Sequence, residues 1–129
     1  MKTNLITAFI FLLATISFQA SSQTIKLPSP DFKKDMLGAF SPGDDLGISK
    51  DQKDKLSKSN SSFFDKVTGI AGSDESDDKK IAKITGLAKE QNSMFESILG
   101  EKTVKEYRKK IKKQIRPFTT KYKLAKFVL

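Results

Sequence analysis

Cationic side chains at helical spacing are the residues in this sequence most able to do chemistry. They lie in a helix-forming segment that begins near Glu101 to Thr103. The five cations that could act together are Arg108, Lys109, Lys112, Lys113 and Arg116. Val104, Tyr107, Ile111 and Ile115 recur at helical spacing on the other side of the same segment. Such a helix can lie on an anionic membrane, bind acidic polymers or cover other helices in a bundle, and the spacing leaves all three open.

The net charge of the chain is concentrated at its C-terminal end. Residues 101–129 hold 11 Lys or Arg and two acidic residues, a net charge of +9, whereas residues 23–100 hold 12 Lys and 13 acidic residues, a net charge of −1. An asymmetry of this kind suggests an anionic partner for the C-terminal region.

The residues that are missing exclude several classes of site. The chain has no Cys and no His, so it cannot form a disulfide, a Ser-His dyad or a Cys/His zinc site. The acidic segment from Asp74 to Asp78 lacks the alternating ligands and the closing Glu of a calcium loop, and its charges suit the start of a helix. We expect no catalytic residue, metal or cofactor, and we predict that the protein is not an enzyme. The sequon Asn60-Ser61-Ser62 lies inside a predicted helix, so we interpret it as chance.

The N-terminus predicts export. Lys2 precedes an apolar stretch from Leu5 to Phe18, and its 14 residues are too few for a membrane span of about 20. The pattern is typical of a secretory signal that is cleaved after Ser22 or after Ala20. We predict a signal peptide over 1–22, a periplasmic or secreted product, an extended leader over 23–30 and one helical domain over 31–129. Export and the lack of a base-reading motif argue against nucleic acid as the partner.

The periodicity of apolar residues predicts an all-α domain. A short helix is expected from Asp31 to about Phe40, and a second from Ser49, as the N-cap of a capping box with Gln52, to about Ala71. A third helix should end at Gly100, and we expect it to pair with the second as a long antiparallel hairpin. The fourth, basic helix should close this hairpin and stop at Arg116, before Pro117. A partly ordered tail follows, and the sequence leaves open whether residues 118–129 pack or project.

The residues at the starts of the second and fourth predicted helices resemble those of the Spy/CpxP-type (LTxxQ-motif) periplasmic helical proteins. In the segment from Leu46 to Leu56, Ile48-Ser49 stands for the Leu-Thr of that motif and Gln52 is retained. The segment from Ile98 to Tyr107 is a second, looser copy, in which neither Thr nor Gln is in register. The resemblance covers about residues 46–116.

The resemblance implies a helical protein, often a dimer, that holds unfolded or acidic protein clients without ATP. The client surface would combine the cations of the fourth helix with nearby apolar residues such as Phe63 and Phe64. The alternative is a structural or adhesive protein that docks its basic region on an anionic envelope component, either lipid headgroups or acidic polysaccharide. Both alternatives are non-enzymatic binding functions.

Overall fold

The chain folds into four helices, as a computed structural model describes them for residues 25–129. They are α1 (Asp31–Ala39), α2 (Lys50–Ala71), α3 (Asp77–Leu99) and α4 (Glu101–Lys121), and a 3₁₀ turn (Lys123–Lys126) follows α4. No strand occurs in residues 25–129, so the predicted all-α class is confirmed. The predicted signal peptide over 1–22 and the first two residues of the leader lie outside the described residues. No helix in the described part of the chain is both long enough and apolar enough to cross a membrane.

The helix boundaries follow from capping residues. Ser49 caps α2 in a full capping box, because its Oγ accepts from the Gln52 N–H and its own N–H donates to Gln52 Oε1. Ser76 caps α3. Gly100, at φ +82°, ends α3 and begins α4 without an intervening loop, because glycine adopts this left-handed conformation without steric cost.

The predicted hairpin of α2 and α3 is the base of the fold. α1 packs on α2, and α4 packs on α3 and α1, so α4 closes the hairpin. The centre of the core is aromatic: Phe40 meets Phe64 edge to face with ring centroids 4.9 Å apart, and Phe95 meets Tyr107 in the same way at 4.9 Å. Because the domain has no disulfide, burial of this kind is the main source of its stability.

The helix α4 does not stop at Arg116, as the sequence predicts, but continues through Pro117 to Lys121. Proline lacks an N–H, so one helical hydrogen bond is lost at this point, and its ring also crowds the carbonyl of Lys113, four residues earlier. The turn beyond it is held by the Tyr122 N–H, which donates to the Phe118 carbonyl at 2.8 Å. Phe118 and Tyr122 also pack against the core. These contacts outweigh the local preference for a helix end before proline.

The C-terminal tail packs against the domain. Tyr122, Leu124, Ala125 and Val128 are all buried, and the 3₁₀ turn packs against α4. The question that the sequence leaves open is therefore decided in favour of packing, because these apolar side chains extend the core beyond the end of α4.

The leader is also attached to the domain, although residues 25–29 form no helix or strand. Ile25 is buried, and its N–H donates to Asp77 Oδ1 at 3.0 Å. Its carbonyl accepts from Lys80 Nζ at 2.6 Å, and the same ammonium group donates to the Ala71 carbonyl at 2.9 Å. Lys80 is only 2% exposed, so these hydrogen bonds replace water around a buried amine.

Candidate anion-binding surface on α4

The inward face of α4 is committed to the core. Val104, Tyr107, Ile111 and Ile115 are all buried, with Tyr107 and Ile111 at 0% exposure. Since these residues recur every three or four positions, they lie on one side of the helix, and the residues between them must face outward. This burial determines which side of α4 faces solvent.

A buried polar network fixes the position of that inward face. The Tyr107 hydroxyl donates to the Phe40 carbonyl and accepts from Asn60 Nδ2 at 3.2 Å. Asn60 Oδ1 in turn accepts from Gln91 Nε2 at 2.8 Å, and Ser59 Oγ donates to Gln91 Oε1 at 3.0 Å. Burial raises the pKa of the Tyr107 phenol to about 12. The network joins α2, α3 and α4 to the end of α1, so a rotation of α4 would break it.

This network was not predicted from the sequence. The signal that could have found it is the polar run from Ser57 to Ser62, which interrupts the apolar face of α2. Asn60, from the sequon, is 3% exposed and forms the two hydrogen bonds described above, so its amide is not accessible to a glycosylating enzyme in the folded protein.

The outward face of α4 carries a row of cations, flanked by the exposed Glu106, which we call the basic stripe. Its members are Lys102, Lys105, Lys109, Lys112, Lys113 and Arg116, and all six are exposed. At 1.5 Å per residue the stripe is about 21 Å long. Lys109 Nζ lies 4.0 Å from Glu106 Oε1. The other five side chains form no hydrogen bond or ion pair with any residue in 25–129, so their donors are free for a partner.

Two cations of α4 are used within the fold instead. Arg108, one of the predicted site residues, donates from Nε to Asn92 Oδ1 at 3.3 Å and from Nη2 to the Asn92 carbonyl at 3.2 Å. Lys110 donates to the Pro42 carbonyl at 2.6 Å and pairs with the Asp45 carboxylate. These bonds hold α4 against α3 and against the loop that follows α1. Of the five predicted cations, the structure therefore brings together Lys109, Lys112, Lys113 and Arg116, and it assigns Arg108 to helix packing.

The apolar half of the predicted client surface is buried in this structure. Phe63 and Phe64 are 4% and 0% exposed, and both rings contact Phe40 in the core. Consecutive residues can both be buried here because α1 covers α2 on one side while α3 covers it on another. Within residues 25–129 the large apolar side chains that are exposed are Leu27 and Met94, and neither lies on α4.

The acidic segment is part of a helix start. Asp77 and Asp78 lie in the first turn of α3, where they complement the positive end of the helix dipole. Glu75 pairs with Lys83, and Asp77 binds the Ile25 N–H as described above. In the part of the chain that the structure describes, no group of three or more Asp or Glu residues is placed to hold a metal ion.

The basic stripe is thus a row of exposed cations on a helix that has no exposed large apolar side chain. Its geometry suits contact with an anionic partner by charge alone, since the apolar side of α4 is already buried. Comparison with known proteins adds no relative to this description, since no family model, curated protein or solved structure matches the chain.

Proposed function

We propose that this protein is an exported, non-enzymatic binding protein whose basic stripe docks on an anionic component of the cell envelope. The observation that carries the proposal is the row of six exposed cations along one face of α4, five of them without a partner among residues 25–129. Free ammonium and guanidinium groups on a rigid helix bind phosphate or carboxylate groups without first breaking internal ion pairs.

The contact is electrostatic rather than inserted. An amphipathic helix that lies in a membrane interface buries its apolar face among the acyl chains, but Val104, Tyr107 and Ile111 of α4 are buried in the protein core instead. The partner is therefore held at the surface by charge, and the affinity should fall steeply as the salt concentration rises.

The alternative function, that of a chaperone, would need exposed apolar side chains beside the basic stripe. A protein that holds unfolded clients needs exposed apolar area beside its charges, and the two phenylalanines expected there are buried. The resemblance to the Spy/CpxP-type proteins, including the dimer it implies, stays a prediction. It would require another apolar surface, and Met94 and Leu27 are the exposed candidates among residues 25–129.

The test is binding of the chain from Gln23 to two anionic probes at low and high salt. One probe is vesicles that contain an anionic phospholipid, with neutral phosphatidylcholine vesicles as the reference, and the other is a polyuronate such as alginate. We expect one or both anionic probes to bind at low salt and to be released at high salt. Binding to vesicles alone would assign lipid headgroups, and binding to the polyuronate alone would assign polysaccharide.

A charge-reversal variant tests whether the stripe itself makes the contact. The variant changes Lys105, Lys109, Lys112 and Arg116 to Glu. Each cation near an anionic surface contributes about 1 kcal/mol, so we expect at least about 1000-fold weaker binding.

The matched control makes the same four charge changes away from α4. It replaces the exposed residues Lys58, Lys66, Lys79 and Lys89, which lie on α2 and α3. Equal loss in both variants would show that net charge and not the stripe drives binding. Absence of binding to both probes, together with suppression of client aggregation without ATP, would reject the docking function in favour of the chaperone alternative.

A further inference from the structure

The two ends of the described chain meet in a cleft at the end of α4. One wall is the leader, and the other is the last turn of α4 with the 3₁₀ turn. The cleft has a volume of about 380 Å³, which lies toward the lower end of the range of small-molecule sites. It is separate from the basic stripe, whose last member is Arg116.

The floor of this cleft is apolar and firmly held. It consists of Ile25, Pro28, Tyr122 and Leu124. Ile25 is fixed through both of its backbone polar groups by Asp77 and Lys80. The Tyr122 ring lies edge to face against Phe32 with centroids 5.1 Å apart, and its hydroxyl donates to Asp35 Oδ2 at 2.6 Å. The cleft is therefore already formed before any ligand arrives.

The rim of the cleft is positively charged. It contains Lys26, Lys121 and Lys123, and none of the described residues that line the cleft is acidic. Lys121 Nζ lies 3.2 Å from Asp35 Oδ2, so its charge is largely balanced within the protein. Lys26 and Lys123 are exposed and form no ion pair or side-chain hydrogen bond with residues 25–129. Two uncompensated cations thus border an apolar floor.

We propose that this cleft binds the anion of a medium-chain fatty acid. The carboxylate contacts Lys26 and Lys123, and the alkyl chain lies on the floor between the leader and the 3₁₀ turn. An apolar floor with an unbalanced positive rim matches a ligand that has one anionic end and an apolar body. The anionic end contacts the cations of the rim, and the apolar body is buried against the floor. This site does not depend on the docking function of the stripe.

The probe is decanoate, kept below its micelle concentration and titrated into isotope-labelled chain from Gln23. We expect saturable changes in the amide resonances of Ile25, Lys26, Leu27 and Ser29 and in those of Lys121 to Leu124. Decanol, which has a similar alkyl chain without the charge, should bind about twofold to thirtyfold more weakly if the two exposed lysines of the rim contact the carboxylate. Equal binding of decanol would overturn the proposal, and so would the absence of saturable binding.

Two double variants with the same change in charge localise the effect. Lys26→Glu with Lys123→Glu reverses the rim, whereas Lys112→Glu with Arg116→Glu reverses part of the basic stripe. We expect the first pair to weaken decanoate binding at least about tenfold and the second to leave it nearly unchanged. All four side chains are exposed, so both variants should fold. An equal loss in both, or resonance changes centred on residues 102–116, would reject the cleft as the site.

Discussion

The two faces of α4 differ in what their side chains contact, although they belong to one helix of 21 residues. The inward face is covered on all sides, and the Tyr107 hydroxyl has both a donor and an acceptor in the core. The outward face has six cations, five of which have no partner among residues 25–129. The inward face therefore determines stability, and the outward face is available for binding.

This comparison shows why a residue's type alone does not define its role. Arg108 and Lys109 are neighbours with the same charge, but Arg108 binds Asn92 on α3 whereas Lys109 is exposed. The difference arises from their angle around the helix axis relative to Tyr107 and Ile111. If the comparison is correct, substitutions on the two faces should have separate effects on stability and on binding.

The largest difference in stability is expected between substitutions of two adjacent residues that lie on opposite faces of α4. Ile111→Ala removes a side chain with 0% exposure and should lower the free energy of unfolding by about 2 to 5 kcal/mol. Lys112→Ala should change it by no more than about 0.5 kcal/mol. Urea denaturation of the two variants measures both values. A loss below about 1 kcal/mol for Ile111→Ala would mean that α4 does not pack as described.

The next effect separates the two tyrosines of the chain. Tyr107→Phe leaves the Phe40 carbonyl and the Asn60 amide without their partner and should cost about 1 to 3 kcal/mol. Tyr122→Phe removes a hydroxyl whose acceptor, Asp35, remains partly in contact with water, and should cost less than about 1 kcal/mol. The measurement is again urea denaturation, with unchanged slopes as the check that both variants unfold in one step. Equal costs would contradict the role of the Tyr107 network.

The burial of Tyr107 also predicts the response to high pH. Its pKa is raised to about 12, so the phenol should still be protonated in the folded protein at about pH 11. Because the pKa is higher in the folded protein, the protonated Tyr107 phenol stabilises the fold. This stabilisation is complete below the pKa of the tyrosine in the unfolded chain and is lost as the pH rises through about 12. Ultraviolet titration of the Tyr122→Phe variant, which leaves Tyr107 as the remaining tyrosine, checks this directly. Ionisation near pH 10 would place that phenol in water.

The smallest effect concerns the carboxylate beside the cleft. The hydrogen bond from the Tyr122 hydroxyl, and after it that from Lys121, lowers the pKa of Asp35 below 3.8. The ionised Asp35 carboxylate therefore stabilises the fold above the pKa that this group has in the unfolded chain. This stabilisation is lost as the pH falls through the lower pKa of Asp35 in the folded protein. We expect Tyr122→Phe to raise the pKa of Asp35 toward 3.8 in a carboxyl NMR titration.

Asp44 serves as the internal reference for that titration. Its pKa is lowered by a hydrogen bond from Lys53, and this contact does not involve Tyr122. The pKa of Asp44 should therefore be the same in the variant and in the parent chain. A common rise of both values would indicate a general loss of folding rather than the loss of one hydrogen bond.

Local signals in the sequence predicted most helix boundaries. Ser49 with Gln52, and Gly100, mark ends that depend on a few neighbouring residues, and the structure places the caps at these positions. Pro117 misled the prediction because its local cost, one hydrogen bond and crowding of the carbonyl four residues earlier, is outweighed by the packing of Phe118 and Tyr122, which depends on residues far away in the chain. The leader could not be placed either, because Lys80, 55 residues further along, holds Ile25.

The sequence by itself determined the all-α class, the concentration of positive charge in residues 101–129 and the absence of Cys and His chemistry. These properties depend on composition and on spacing within single helices. Only the tertiary structure decided which cations are free, because that depends on Asn92, Asp45 and Pro42, which contact α4 from other elements. It also decided that Phe63 and Phe64 are buried, since a single helix shows an apolar face but does not show how many neighbours cover it.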